Sequence, residues 1–308
     1  MINNYLLIES WYLGEMYVRI DNEEVKISNP EKLLFPSITK WDYIQYLGKL
    51  SPFLLPYCKN RFLTTIRFPD GVSGDSFYQK NVPSSKPPFV ATKKEESTEY
   101  VLLQNVPTLI WLGNLACLEF HTSFHTYQGR NVPTELVFDL DPTDSPFEQV
   151  IEVALLTRNV ILEMGLDGIV KTSGASGLQI YVPLEPIHTF EETRKISHFI
   201  ASYLTEKNPK LITIERRVKD RGTKVYFDYL QHWRGKTLIA PYSPRSTSAA
   251  TVSTPLEWKE LETSILPTDF TLFNIEERLK QKGDLFGAVY NKHKYNLSNL
   301  LQFVQNHL

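Results

Sequence analysis

A mixed α/β (α+β) fold is predicted by three features of this chain. Segments of strand period and helix period alternate along its 308 residues. No long linker, internal repeat or low-complexity tract interrupts them. Its 42% hydrophobic and 22% charged residues match an ordinary globular protein with a substantial core.

The elements follow in order. Tyr17 to Ile27 reads as a hairpin turning at Asp21-Asn22. Asn29-Pro30-Glu31-Lys32 is a turn expected to open into a helix, and Thr39 is the expected N-cap of a helix that runs through Leu54-Leu55 and stops at Pro56. Arg61 to Phe68 is a strand, followed by the turn Pro69-Asp70-Gly71. Ala91 to Glu99 is polar and reads as an exposed loop before a strand at Tyr100–Leu103. Pro107 to Ala116 is an apolar helix leading to the strand Cys117–His121.

Pro146 to Met164 carries helical periodicity, closed by Gly165 as C-cap. Ile169–Lys171 and Leu178–Pro183 are short strands around a Gly/Ser-rich turn, and Phe190 to Thr205 is another amphipathic helix. Lys224–Tyr229 and Thr237–Ala240 are expected to pair with each other through Gln231–Gly235.

Composition excludes several classes. The two cysteines, Cys58 and Cys117, form neither a disulfide framework nor a zinc ribbon, which fits a reducing cytoplasm. No stretch approaches the roughly 20 apolar residues of a membrane span, and the first residues lack the basic start of a signal peptide. The net charge of −2 is unevenly spread. Lys26 to Arg67 holds seven basic residues against two acidic, and Lys210 to Arg245 holds nine against three. Two basic runs flanking an acidic centre suit a polyanion that must reach a metal.

That centre is Leu136-Val137-Phe138-Asp139-Leu140-Asp141-Pro142. As a strand it sends both aspartates from one face and Phe138 and Leu140 from the other. Adjacent carboxylates repel and lose hydration unless a cation lies between them, so the pair predicts a divalent-metal site. Lys171-Thr172-Ser173-Gly174-Ala175-Ser176-Gly177 is a small-residue turn whose N–H groups and hydroxyls could cradle a phosphate, with positive φ expected at Gly174 and Gly177. Asp228 ends a strand and could complete a two-metal phosphoryl-transfer site. Pro241-Tyr242-Ser243-Pro244-Arg245 sets a guanidinium on a rigid turn.

Taken together, these motifs resemble the polymerase/primase domain of bacterial ligase D, a branch of the archaeo-eukaryotic primase superfamily acting in non-homologous end joining. The resemblance runs from about Ile27 to Phe286, leaving 287–308 as a C-terminal extension of a single 1–308 domain. It rests on Ser28-Asn29-Pro30-Glu31-Lys32, Arg67–Gly71, Ser76-Phe77-Tyr78-Gln79-Lys80, Leu118-Glu119-Phe120-His121, Leu136–Pro142, Lys171–Gly177, Phe227–Gln231, Arg234–Thr237 and Ala240–Arg245. It implies a primase-like fold of two intimately packed subdomains, with a central antiparallel or mixed sheet carrying the metal site.

The resemblance also implies roles. Asp139, Asp141 and Asp228 match the catalytic carboxylates, holding two divalent ions, Mn²⁺ or Mg²⁺. His121, Lys171, Ser173, Gly174, Gln179, Arg221, Gln231 and Arg245 match positions around the incoming NTP or dNTP. Lys32 and Lys40 match residues that hold a downstream 5′-phosphate, and Phe77 and Tyr78 match an aromatic pair packing on the template. Asn29, Arg67 and Lys80 are further DNA-binding residues that the resemblance implies. The polar stretch Ala91–Glu99 matches a loop that brings DNA ends together. The implied partners are DNA with gaps or double-strand breaks bearing a 5′-phosphate, Ku, and an ATP-dependent DNA ligase, in a cytoplasmic, nucleoid-associated setting without membrane.

Three departures reduce positive charge relative to the family pattern. Gln179 stands where Gly-Leu-His is usual, and Ser176 and Ile66 stand at positions commonly basic. Weaker triphosphate binding is the expectation. Two alternatives remain at this level: a haloacid-dehalogenase-like phosphatase using Asp139 as nucleophile, and a non-catalytic module that bridges DNA ends.

Overall fold

The computed structural model describes residues 7–12 and 15–306. The chain divides into two compact units, the first formed by Met1–Ser123, Thr237–Val252 and Thr271–Gln281, the second by Phe124–Lys236, Ser253–Phe270 and Lys282–Leu308. Each is assembled from three separate stretches of chain, so no linker marks the division in the sequence. Helices and sheets mix throughout, as the alternating periodicities predict. No helix among the described residues is long and apolar enough to cross a membrane.

In the first unit, Glu15–Ile20 and Glu23–Ser28 form the predicted hairpin. Asp21 and Asn22 both take positive φ, the geometry of a two-residue turn that matches strand twist. A second sheet runs in the spatial order Thr237–Ile239, Cys117–Thr126, Arg61–Arg67, Phe77–Gln79. Thr39 caps its helix as expected, accepting from the Asp42 N–H at 3.1 Å while Asp42 accepts from the Thr39 N–H at 3.0 Å. The turn at Asn29–Lys32 opens not into a helix but into the short strand Leu33–Phe35, which pairs with Ile38–Thr39. The Thr39-capped helix differs from expectation at its other end. It spans Lys40–Cys58, with Pro52 and Pro56 inside it. Burial of Leu54, Leu55, Tyr57 and Cys58 offsets the missing N–H donors.

The stretch expected to be a loop is a second departure. Thr92–Glu95 and Thr98–Val101 pair as a hairpin in register Thr92↔Val101 to Glu95↔Thr98. Glu96 at φ 53 makes its tip. Polar side chains hid a strand pair because most of them face water, so no apolar alternation marks it.

The second unit is built on a six-stranded sheet in the order Ile212–Thr213, Val225–Phe227, Glu135–Pro142, Leu178–Pro183, Ile169–Thr172, Pro255–Leu256. All pairings are antiparallel except the first, which is parallel. Helices Phe147–Glu163 and Phe190–Lys207 send Val150, Val153, Ala154, Ile196 and Ile200 into its core, joined by Leu136, Phe138 and Leu140 from the sheet. The expected pairing of Lys224–Tyr229 with Thr237–Ala240 does not occur. Val225–Phe227 is buried against the Asp139 strand, whereas Thr237–Ile239 pairs with Cys117–Thr126.

Candidate active site

The second unit holds the carboxylates. Phe138 packs edge-to-face on Phe227 with ring centroids 5.7 Å apart, and that packing fixes which face of the strand is buried. Asp139 and Asp141 therefore leave the other face. Leu140 and Asp141 stand opposite Phe227 and Tyr226, and the next residue, Asp228, donates its N–H to the Asp139 carbonyl at 2.9 Å. On the other side Asp139 pairs with Gln179, and Gln179 with Lys171. Asp228, Asp139, Gln179 and Lys171 thus form one cross-strand row, their side chains sharing a face.

Asp139 is 6% exposed. Burial raises its carboxyl well above the usual range, the charges of Asp141 and Asp228 add to this, and Gln179 and Lys171 oppose it. Such crowding favours a bound cation, and hard carboxylate oxygens suit Mg²⁺ or Mn²⁺. Among the described residues, no three His, Cys, Asp or Glu side chains converge as a ready-made cage. Asp228 Oδ1 accepts from the Tyr226 hydroxyl at 3.1 Å and the Leu230 N–H at 3.0 Å. The donor set therefore fits a cation held chiefly by Asp139 and Asp141, with Asp228 beside them.

The small-residue turn works differently from the cradle anticipated. Ser173 Oγ accepts from the N–H groups of Ala175 at 3.2 Å and Gly177 at 3.0 Å, and the Ser173 N–H donates to the Gly177 carbonyl at 2.9 Å. These groups close the turn, so the N–H groups of Ser173, Ala175 and Gly177 are spent on the turn itself. Gly174 takes φ +75 as expected, but Gly177 does not have positive φ. It is glycine for room: a Cβ there would lie 2.5 Å from the Leu140 carbonyl oxygen and 3.0 Å from Asp141 Oδ1.

Lys171 and Gln179 also depart from expectation. Lys171 is 0% exposed, and both ends of the Gln179 amide are engaged, by Lys171 at 2.6 Å and by Asp139 at 3.0 Å. Neither presents a group to a substrate phosphate. Ile66 is buried too, so of the three departures from the family pattern only Ser176 lies on the exposed surface.

Beside Asp228 opens a cleft of about 470 Å³ lined by Arg194, Arg216, Arg221 and Lys236. The Arg221 guanidinium stacks 3.5 Å from the Tyr226 ring and donates to the carbonyls of Glu215 and Arg216 at 2.9 and 2.8 Å. The Gln231 N–H donates to the Asp228 carbonyl at 3.3 Å. Arg194, Arg216 and Lys236 went unassigned from sequence; the basic run 210–245 signals the last two, and Arg194 lies on a helix with no such signal.

The first unit contributes a separate polar cluster. Period 2 along Cys117–Thr126 puts Glu119 and His121 on one side, and His121 Nε2 donates to Glu119 Oε2 at 2.8 Å. Arg245 Nε lies 3.4 Å from Glu119 Oε1, which also accepts from the Ser246 N–H at 3.1 Å. Burial would raise the Glu119 carboxyl, but the His121 hydrogen bond, Arg245 and Ser246 prevail and hold it at about 2. Glu119 was quoted in a motif without a role; it holds both His121 and Arg245 in place. Its stabilising effect is complete above its ordinary value of 4.5 and is lost as pH falls toward about 2. Glu119→Gln is therefore expected to flatten the acid limb of a thermal-stability profile across that window.

A basic and aromatic group lies in the same unit. Asn29 at φ 49 shapes the turn that presents Lys32, whose Nζ pairs with Asp70 at 2.7 Å. Lys40 is only 5% exposed and donates to the Ser28 carbonyl at 2.6 Å; burial, then Lys32 and Arg67, lower its ammonium to about 8. Arg67 lies 5.2 Å from the Phe77 ring centroid. Phe77 and Tyr78 are 45% and 73% exposed, unusual for large aromatics, and Lys80 follows them on the surface.

Residues 39–286 match the family model described as "LigD, primase-polymerase domain". The chain belongs to this family. The match covers every residue of the carboxylate row; Asn29 and Lys32 precede it. The chain is 40% identical over 271 residues to the bifunctional non-homologous end joining protein LigD of Bacillus subtilis, covering 87% of this chain and 44% of that protein. It is 32% identical over 277 residues to the multifunctional LigD of Mycolicibacterium smegmatis, covering 87% and 36%. The chain thus spans less than half the length of these relatives. Among solved structures, the polymerase domain of Mycobacterium tuberculosis ligase D in complex with DNA matches with a TM-score of 0.81 and 29% identity, over 87% of this chain and 98% of that one. Family membership sets aside the phosphatase alternative.

Proposed function

We propose that this chain is a template-dependent nucleotidyltransferase that adds an NTP or dNTP to a primer 3′-hydroxyl at gaps and breaks in DNA, in non-homologous end joining. The observation carrying this reading is the Asp139/Asp141 pair with Asp228 joined to it across the sheet, in a chain of this family. Two divalent cations, Mn²⁺ or Mg²⁺, held by these aspartates would activate the hydroxyl and neutralise the departing pyrophosphate.

The chain's own residues supply the rest. Arg194, Arg216, Arg221 and Lys236 make the surface beside Asp228 attractive to a polyanion, and Gln231 offers a hydrogen bond there. In the second unit, Ser173 and Gly174 take the nucleotide's phosphates; His121 and Arg245 of the first unit keep the nucleotide roles that the family resemblance gives them. Phe77 and Tyr78 stack on a template base, which suits an enzyme indifferent to sequence. Lys32, on the turn shaped by Asn29, takes the downstream 5′-phosphate, Arg67 and Lys80 add positive charge in the same unit, and Lys40 stands behind Lys32 as a buried positive charge. Ku and an ATP-dependent DNA ligase are the partners this role calls for, in the cytoplasm at the nucleoid.

The test is extension of a labelled primer opposite a template base, run alongside an assay for inorganic phosphate released from nucleotide without DNA. Extension by the complementary nucleotide is expected; phosphate release without DNA and no extension would overturn the reading. A further outcome concerns pH. Because Lys40 loses its charge near 8 rather than at its ordinary 10.5, the preference for gaps bearing a 5′-phosphate is expected to shrink between pH 7 and 9. Binding titrations with phosphorylated and unphosphorylated gaps measure it.

A further inference from the structure

The buried row behind Asp139 has a direction. An ammonium has donors and no acceptor, so Lys171 can meet the Gln179 amide only at its oxygen. Lys171 Nζ donates to Gln179 Oε1 at 2.6 Å, to Ser253 Oγ, and more weakly to the Thr172 carbonyl at 3.4 Å. Ser253 Oγ donates in turn to the Thr172 carbonyl at 2.9 Å, which leaves its lone pairs for Lys171. With Oε1 held, the amide nitrogen must face the other way, and there it donates to Asp139 Oδ1 at 3.0 Å.

We propose that Lys171 and Gln179 are positioning residues for Asp139: the buried ammonium locks the amide, and the amide fixes one carboxylate oxygen so that the second is presented to a divalent cation. This rests on the reading of Asp139 as a cation ligand. It also explains why glutamine can stand at position 179 where the family pattern has histidine. A neutral imidazole carries one acceptor and one donor nitrogen, so it can bridge an ammonium and a carboxylate as the amide does. Leucine offers neither. The substitution preserves a bridge and takes no charge away from the nucleotide.

The test is a Mn²⁺ titration followed by the electron paramagnetic resonance signal of the free ion, without nucleotide, on the full chain and its Q179H, Q179L, Q179N and D139N variants. Circular dichroism confirms that each is folded. Q179H is expected to bind Mn²⁺ within about threefold of wild type, and Q179L roughly 10–100-fold more weakly, the range for loss of a partner that orients a metal ligand. Should Q179L not fold, Q179N carries the test: it keeps an amide near Lys171 but falls a methylene short of Asp139, and the same loss is expected. Wild-type affinity in the folded Q179L or Q179N variant, or a tenfold loss in Q179H, would overturn the row's role. Equal Mn²⁺ binding by wild type and D139N would instead sink the cation-ligand reading, and the proposal with it.

Discussion

Asp139→Asn is expected to lower nucleotidyl transfer by about 10³-fold or more, since a catalytic metal supplies several kcal/mol of transition-state stabilisation. Asparagine keeps the size of the side chain and removes its charge. The relief of like-charge crowding from Asp141 and Asp228 should leave the variant at least as stable as wild type. DNA affinity, carried by basic and aromatic residues elsewhere, should stay within about twofold. Single-turnover extension rates, thermal melting and equilibrium DNA binding on the same preparations check the three parts together. A variant that still extends primers at a tenth of the wild-type rate would remove Asp139 from the chemistry.

Gly177→Ala is expected to damage both stability and activity. The new methyl group would meet the Leu140 carbonyl oxygen at 2.5 Å, closer than real Cβ contacts come, and backbone cannot swing aside as a side chain can. Overpacking of this kind costs about 1–3 kcal/mol, lowering the melting temperature by several degrees. The same methyl would press on Asp141 Oδ1, so activity should fall further than stability alone explains. Gly165→Ala is the control: its φ of +76 brings backbone strain, but nothing lies within 4 Å of its Cβ and it is remote in sequence from the carboxylates. A Gly177→Ala variant that melts and works like wild type would contradict the account of the turn.

The carboxylate strand was legible because period 2 and a buried hydrophobic face leave few alternatives for Leu136–Pro142. The helix ends at Thr39 and Gly165 were equally plain, since each residue type has a specific task there: Thr39 is the N-cap, and Gly165 takes the positive φ just past the C-cap Met164. What was not legible depends on contacts distant in sequence. Pro56 is a helix breaker by propensity, and only burial of its neighbours carries the helix past it. Lys171, Gln179 and Ile66 read as charge present or absent near a phosphate, because a sequence does not say which residues are buried. Glu119 is important through Arg245 and Ser246, more than a hundred residues away. Gly177 was singled out for the wrong property: its need is space beside another strand, which no local pattern reveals.

The most direct test of the central claim uses a duplex with a one-nucleotide gap and a 5′-phosphate downstream, Mn²⁺ or Mg²⁺, and each nucleotide in turn. The account predicts addition of the complementary nucleotide by the wild-type chain, faster with the 5′-phosphate than without it, and none by an Asp139→Asn/Asp141→Asn variant that still binds the gap. No addition under any of these conditions, or equal addition by the double variant, would contradict it.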